Sequence, residues 1–197
     1  MIQVHEEART TPEPHFETIS KLDAARRQLR TSIRLFFADE EAISVHTLVA
    51  AAHGILRDLS GEFAIQIAEG VELQGKGSFL KDNPLVRPEK KKMLVAALNR
   101  AQNFFKHADN DPSGELHFHA GQTEFLLFDA CLMYQSIAGR HLREGYLFMV
   151  WHMVKYPEIY LDDASKQFIA HLQAFDFTSK PEMYELIKLG TPIPGTD

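Results

Sequence analysis

The sequence predicts an all-α fold, a compact bundle of about six helices with a long loop between the second and the third. Three observations predict it. Apolar residues recur at three- and four-residue spacing in six separate segments, while strand-like alternation is brief and isolated. Helix starts and stops such as Ser20, Pro88, Gly139, Pro181 and Gly190 separate those segments.

Residues 1–17 hold Pro12 and Pro14 among polar residues without a period, and read as a flexible N-terminal arm. A single helical domain then spans 18–190, and 191–197 form a C-terminal tail. In the first helix, "SKLD" offers a capping box, with Ser20 accepting a backbone N–H and Asp23 reaching back. Leu22, Ala25, Leu29, Ile33, Phe36 and Phe37 follow at helical spacing, up to an end near Asp39. Its flank carries Arg26, Arg27, Arg30 and Arg34. The pattern suits cations that are solvated or paired with a neighbour's acids, with a phosphate-facing stripe as the alternative.

The second helix opens at Ser44, and Val45, Leu48, Val49, Ala52, Ile55, Leu56 and Leu59 fall within about 120° of its wheel. His46, Ala50, His53 and Arg57 form a second stripe. The two histidines lie about 10.5 Å apart along the axis, too far for one metal ion, whose helical ligands come four residues apart. They read as structural, and the small residues Ala50, Ala51, Ala52 and Gly54 suggest close approach of another helix.

Residues 60–88 break the rhythm with Gly61, Gly70, Gly75, Gly77, Pro84 and Pro88, and are expected to form the long loop. Pro88 starts a third helix, "EKKKMLVAALNRAQNFFKHA". The turn-rich "DNDPSGELHFHAG" follows, with a short alternating stretch able to pair as a strand. "TEFLLFDACLMYQSIAG" is apolar almost all round and predicts a central buried helix capped by Gly139. Residues 140–156 predict another, stopped by Pro157. Asp162 or Asp163 caps "ASKQFIAHLQAF", and Pro181 begins a last short helix ending near Gly190.

Composition narrows the function classes. With 45% hydrophobic and 24% charged residues, the 197-residue chain has the make-up of an ordinary globular domain. A formal net charge of −6 disfavours general coating of nucleic acid but leaves room for a local basic patch. One cysteine, Cys131, precludes an intramolecular disulfide and suits a reducing compartment. The N-terminal stretch lacks an apolar signal core, so a cytoplasmic location is expected. "YLFMVWHMV", interrupted by His152, falls short of the ~20 residues that span a bilayer and reads as a core helix.

Chemistry concentrates in "LNRAQNFFKHADND". On the third helix, Leu94, Ala97, Leu98, Ala101, Phe104, Phe105 and Ala108 span an arc of about 120° that should be buried. Arg100, Asn103 and His107 lie on its rim, where packing holds a side chain while its tip stays reachable. Asn99 and Lys106 stand farther round. An arginine followed, after six residues, by a histidine on a late helix of an α-helical bundle resembles the signature of the HEPN (higher eukaryotes and prokaryotes nucleotide-binding) superfamily. The preceding "SVHTLVAAAHGILRDL" is similar to the alanine-rich second helix of such domains, so the resemblance covers residues 20–138. The chain departs from the pattern at Ala101, where the family often has Asn, Asp or His, and Asn103 offers a substitute one turn before His107.

The resemblance implies a metal-independent endoribonuclease acting as a homodimer on single-stranded RNA, without a cofactor. His107, an imidazole able to take or give a proton, is the expected acid or base, and Arg100 the bidentate phosphate clamp. Asn103 would orient the histidine or a phosphate oxygen, and Asn99 and Lys106 would be outer RNA contacts. The alternative is a noncatalytic helical dimerisation or protein-interaction module, in which Arg100 and His107 hydrogen-bond across helices.

Other patterns are weaker. Asp109, Asp111, Ser113, Gly114 and Glu115 partly mimic a calcium loop, but its twelfth position is Ala120 and Pro112 stiffens the fourth, so a helix-ending turn is the better reading. His117 and His119 lack a further ligand at a confirming spacing and read as turn or surface residues. Trp151, His152, Lys155 and Tyr156 are expected in the core and at a helix end, and Cys131 as a buried thiol.

Overall fold

A computed structural model describes residues 16–68, 96, 99–107, 109, 111–159, 163–173 and 179–197, with backbone alone at 61–68, 159, 164 and 165. Among these residues the architecture is the helical bundle that the periodicity predicts. In chain order it has α1 (Lys21–Phe37), α2 (Ala42–Ala68), described helical residues at 96 and 99–104, α3 (Gly121–Ala138), α4 (Arg143–Lys155), a 3₁₀ turn (Pro157–Ile159), α5 (Asp163–Leu172) and α6 (Lys180–Leu189). No described helix is long and apolar enough to cross a membrane.

Helix α1 begins where expected, because the Ser20 hydroxyl accepts the Asp23 N–H at 3.1 Å. Asp23 does not reach back to complete a capping box. Its carboxylate takes the guanidinium groups of Arg26 and Arg27, each at 2.7 Å, which outbid a neutral backbone donor. Ala25, Leu29, Ile33, Phe36 and Phe37 are buried, as their spacing requires. The arginine flank is paired rather than phosphate-facing. Arg27 also binds Glu17, and Arg34 reaches Glu144 of α4 at 2.6 Å, with Arg30 3.8 Å from the same oxygen.

Helix α2 packs along α1 and α3, which bury its first stripe and the N-terminal half of the second, while His53 is half-buried and Arg57 exposed. Val45, Val49, Ala52 and Leu56 form one, and His46 and Ala50 belong to the other. Of the small residues, Ala50 and Ala52 are buried inside the chain, whereas Gly54 is half-buried with no neighbour where a Cβ would stand. The helix does not stop at Ser60, as its glycine seemed to require, but runs through Gly61 to Ala68. One interior glycine costs only about 1 kcal/mol, and the alanine, glutamate and glutamine that follow sustain the helix. The rest of the expected loop, from 69 to 95, lies outside the described residues, as do the N-terminal arm up to 15 and the Pro88 start.

Helix α3 is buried nearly all round and ends at Gly139, whose φ of 71° is the left-handed conformation that glycine adopts without strain. Helix α4 crosses α1 and α3, setting Phe148 and Trp151 against Phe36 and Phe37 in an aromatic cluster. Cys131 is buried among these helices, and its thiol pKa is pushed up by desolvation. At the end of α4, Lys155 bonds both oxygens of the buried Glu124, at 2.7 and 2.9 Å, and the Tyr156 hydroxyl donates to the same carboxylate at 2.7 Å. Both oxygens of the buried carboxylate thereby have a donor.

Helix α6 starts with Pro181 in its first turn and ends at Gly190, φ 66°. Arg143 holds that end. Its guanidinium donates to the carbonyls of Leu186, Ile187 and Thr191, satisfying acceptors that the last turn leaves open. Beyond it Thr196 forms a parallel bridge with His141, and the Tyr134 hydroxyl donates to Asp197 at 2.6 Å.

Candidate functional site

The helical stretch that carries Arg100 ends sooner than its apolar spacing implies. Residues 99–104 are helical and 105–106 form a turn, so His107 stands just past the end instead of on the helix face. The Lys106 and His107 N–H groups both donate to the Asn103 carbonyl, at 3.2 and 3.0 Å, which tightens and closes the last turn. Asp109, Asp111 and Pro112 then favour a turn over a further helical one.

This ending rearranges the expected buried arc. Ala101 is buried, but Phe104 is 38% exposed, because the chain turns away before another element covers it. Phe105 takes the inward position, edge-on to Phe118 and to His46 with centroids 5.1 and 5.7 Å away. Leu94, Ala97, Leu98 and Ala108 lie outside the described residues. The "ELHFH" stretch forms no strand. His117 and His119 are exposed, Phe118 packs inward, and the His119 Nδ1 accepts the Gly121 N–H at the start of α3.

Arg100, Asn103 and His107 are all exposed and line one open depression of about 570 Å³, together with Phe104. Three carboxylates, those of Asp109, Asp111 and Glu115, share the lining. Asn99 and Lys106 are exposed but do not line it. No ion pair or side-chain hydrogen bond joins these lining groups to each other or to the rest of the described residues, although both signs of charge are present. Every other described arginine is engaged. Arg26, Arg27, Arg30, Arg34, Arg57 and Arg140 face acids, and Arg143 binds carbonyls. Arg100 alone among them keeps its donors unspent.

The Asp109–Glu115 segment is a turn in which the Gly114 N–H donates to the Asp111 carbonyl at 3.2 Å. The Asp111 carboxylate lies back over Gly114, with Oδ2 2.2 Å from where a Cβ would stand. Among the described residues no group of three His, Cys, Asp or Glu side chains is gathered to hold a metal ion. That these acids share a depression with Arg100 is a tertiary fact; the sequence signal was only that a short acidic turn follows the helix end.

The histidines of α2 serve the interior. His46 is fully buried, with Nδ1 3.1 Å from the Thr123 hydroxyl and the faces of its pocket formed by Phe105 and Phe118. His53 Nε2 lies 2.7 Å from Oδ2 of Asp129, a carboxylate with no exposure. Asp129 escaped the sequence reading, yet an acid inside the most apolar helix has to find a polar partner.

Burial has a measurable consequence. His46 is pushed down to about 4 by desolvation, with the Lys106 charge adding to it, and His152, stacked on Phe128, is pushed down to about 4 by desolvation and by Lys155. The unfolded chain therefore binds protons at these sites that the folded chain refuses between pH 6.5 and 4. Stability should be full above about pH 6.5 and fall as the pH drops toward 4, by at most about 1.4 kcal/mol per pH unit for each histidine. Urea midpoints at pH 7.0, 6.0 and 5.0 check this, and His152→Phe should roughly halve the slope; a level profile would contradict it.

No family model, curated protein or solved structure matches the chain.

Proposed function

We propose that the protein is a HEPN-like endoribonuclease that cuts single-stranded RNA without a metal ion, at the depression of Arg100, Asn103 and His107. The observation that carries this reading is the exposed Arg100, the one described arginine whose fork is unspent, sharing an open depression with an exposed histidine. RNA supplies its own nucleophile. The ribose 2′-oxygen attacks phosphorus as His107 takes its proton, and the bond from phosphorus to the 5′-oxygen breaks, that oxygen taking a proton from solvent. Arg100 meets the charge that grows on the equatorial phosphate oxygens, and Asn103 steadies the histidine or the phosphate. A second copy of the chain is part of the proposal, as a homodimer that sets two such depressions side by side, and so is a cytoplasmic setting.

The test is direct. Purified protein in EDTA should cut unpaired RNA and leave a 2′,3′-cyclic phosphate on one fragment and a 5′-hydroxyl on the other. Intact RNA across varied sequences sinks the proposal.

A second reading has its own observation. Three carboxylates in the depression repel phosphate and favour a noncatalytic interaction module that receives a cationic segment of a partner protein. Intact RNA together with saturable binding of a basic peptide is the result that module would give.

A further inference from the structure

We infer that the depression reads the base as well as the phosphate, and that it selects guanine, with Phe104 as the stacking surface and Glu115 as the reader of the base edge. This rests on the ribonucleolytic reading of the same site. Its starting point is the mismatch noted above: carboxylates are a poor lining for a phosphate, and an aromatic ring 38% exposed is a poor lining for water. Both belong in a site for a whole nucleotide. The depression, at about 570 Å³, has the room, since small-molecule sites run from about 300 to 1,000 Å³.

Unpaired bases are recognised by stacking on aromatic side chains and by hydrogen bonds to their Watson–Crick edges. Phe104 meets only the edge of Phe105 among the rings described, with centroids 5.9 Å apart, so a base can lie against it. Carboxylates decide which base. A carboxylate is an acceptor with two oxygens, and it needs two donors side by side. Guanine presents N1–H next to N2–H₂. Adenine and cytosine each set a single amino group beside a ring nitrogen that accepts, and uracil flanks its one N–H with two carbonyls. Only guanine can satisfy both oxygens without bringing an acceptor against them.

Among the acids, the Asp111 carboxylate lies over Gly114 of its own turn. Asp109 stands two residues from His107, where the phosphate is handled. Glu115 is exposed, forms no ion pair or hydrogen bond with the described residues, and has the longest reach.

The experiment has a binding arm and a cleavage arm. Titration of guanosine, adenosine, cytidine and uridine 3′-monophosphates in EDTA should show guanosine bound about ten-fold or more tightly, the discrimination of one bidentate contact. Glu115→Gln should remove that preference, whereas Phe104→Ala should weaken all four nucleotides alike by about ten-fold. RNAs holding one unpaired guanine should be cut after it. Cleavage without base preference overturns the inference and leaves the ribonuclease standing. Guanine-selective binding that Glu115→Gln abolishes, without cleavage, upholds the inference and removes the catalytic reading. Equal binding of the four nucleotides, or none, overturns guanine selection outright.

Discussion

Replacing Trp151 with alanine should lower the unfolding free energy by about 3–5 kcal/mol, the cost of emptying a large aromatic site from a core that closes only partly around the space. Trp151 is 2% exposed and meets Phe36 and Phe37 edge-to-face, with centroids 5.2 and 5.7 Å away. Its ring also lies beneath the Lys155 ammonium, 4.6 Å from the centroid, which ties the same side chain to the Glu124 ion pair. The substitution therefore removes packing between α1 and α4 and loosens the anchor between α4 and α3 together. Domains are stable by only about 5–15 kcal/mol, so a large share of the margin is at stake. Urea denaturation checks it, and a midpoint close to that of the parent protein would show that α1 and α4 are held by something other than this cluster.

The largest functional effects should come from His107→Ala and Arg100→Ala. Each should slow RNA cleavage by about 10²-fold or more, since one removes the proton-transfer group and the other the donors that meet phosphate charge. Both side chains are exposed and make no ion pair or hydrogen bond with the described residues, so stability should stay within about 0.5 kcal/mol of the parent. Arg100→Lys separates charge from shape, because it keeps a cation but loses the planar fork and should recover only part of the rate. Single-turnover rates in EDTA with circular dichroism spectra measure all three. Unchanged rates in the two alanine variants would move the chemistry away from this depression.

What could be read in the sequence follows from how local each signal is. α1 was legible because one apolar face meets one core and a serine at its start does the capping. The ends at Gly139 and Gly190 were legible because a left-handed residue is written directly as glycine. The length of α2 was not, because a single glycine is a weak stop. The end at Phe104 was missed for the opposite reason: apolar spacing runs on through Phe105 and Ala108, while turn chemistry after His107 closes the helix. At the candidate site, the exposure of Arg100 and Asn103 was legible from their place on the wheel, whereas His107 is exposed because the helix has ended before it. That Asp109, Asp111 and Glu115 share their depression depends on how the turn folds back, which no spacing rule encodes. The Arg34–Glu144 and His53–Asp129 pairs, 110 and 76 residues apart, were beyond reach in the same way.

The docking of the last residues also bears on how this bundle can be built into longer chains. Ser20, just before α1, and Asp197, held by Tyr134 and by the backbone of His141, line one depression, so the two ends of the bundle lie side by side. A unit whose ends meet can be spliced into a surface loop of a host protein without prising that loop open. By the same geometry a short linker from 197 back to 20 would let new ends be cut elsewhere, turning the order of helices into a matter of genetic convenience while their packing stays as it is.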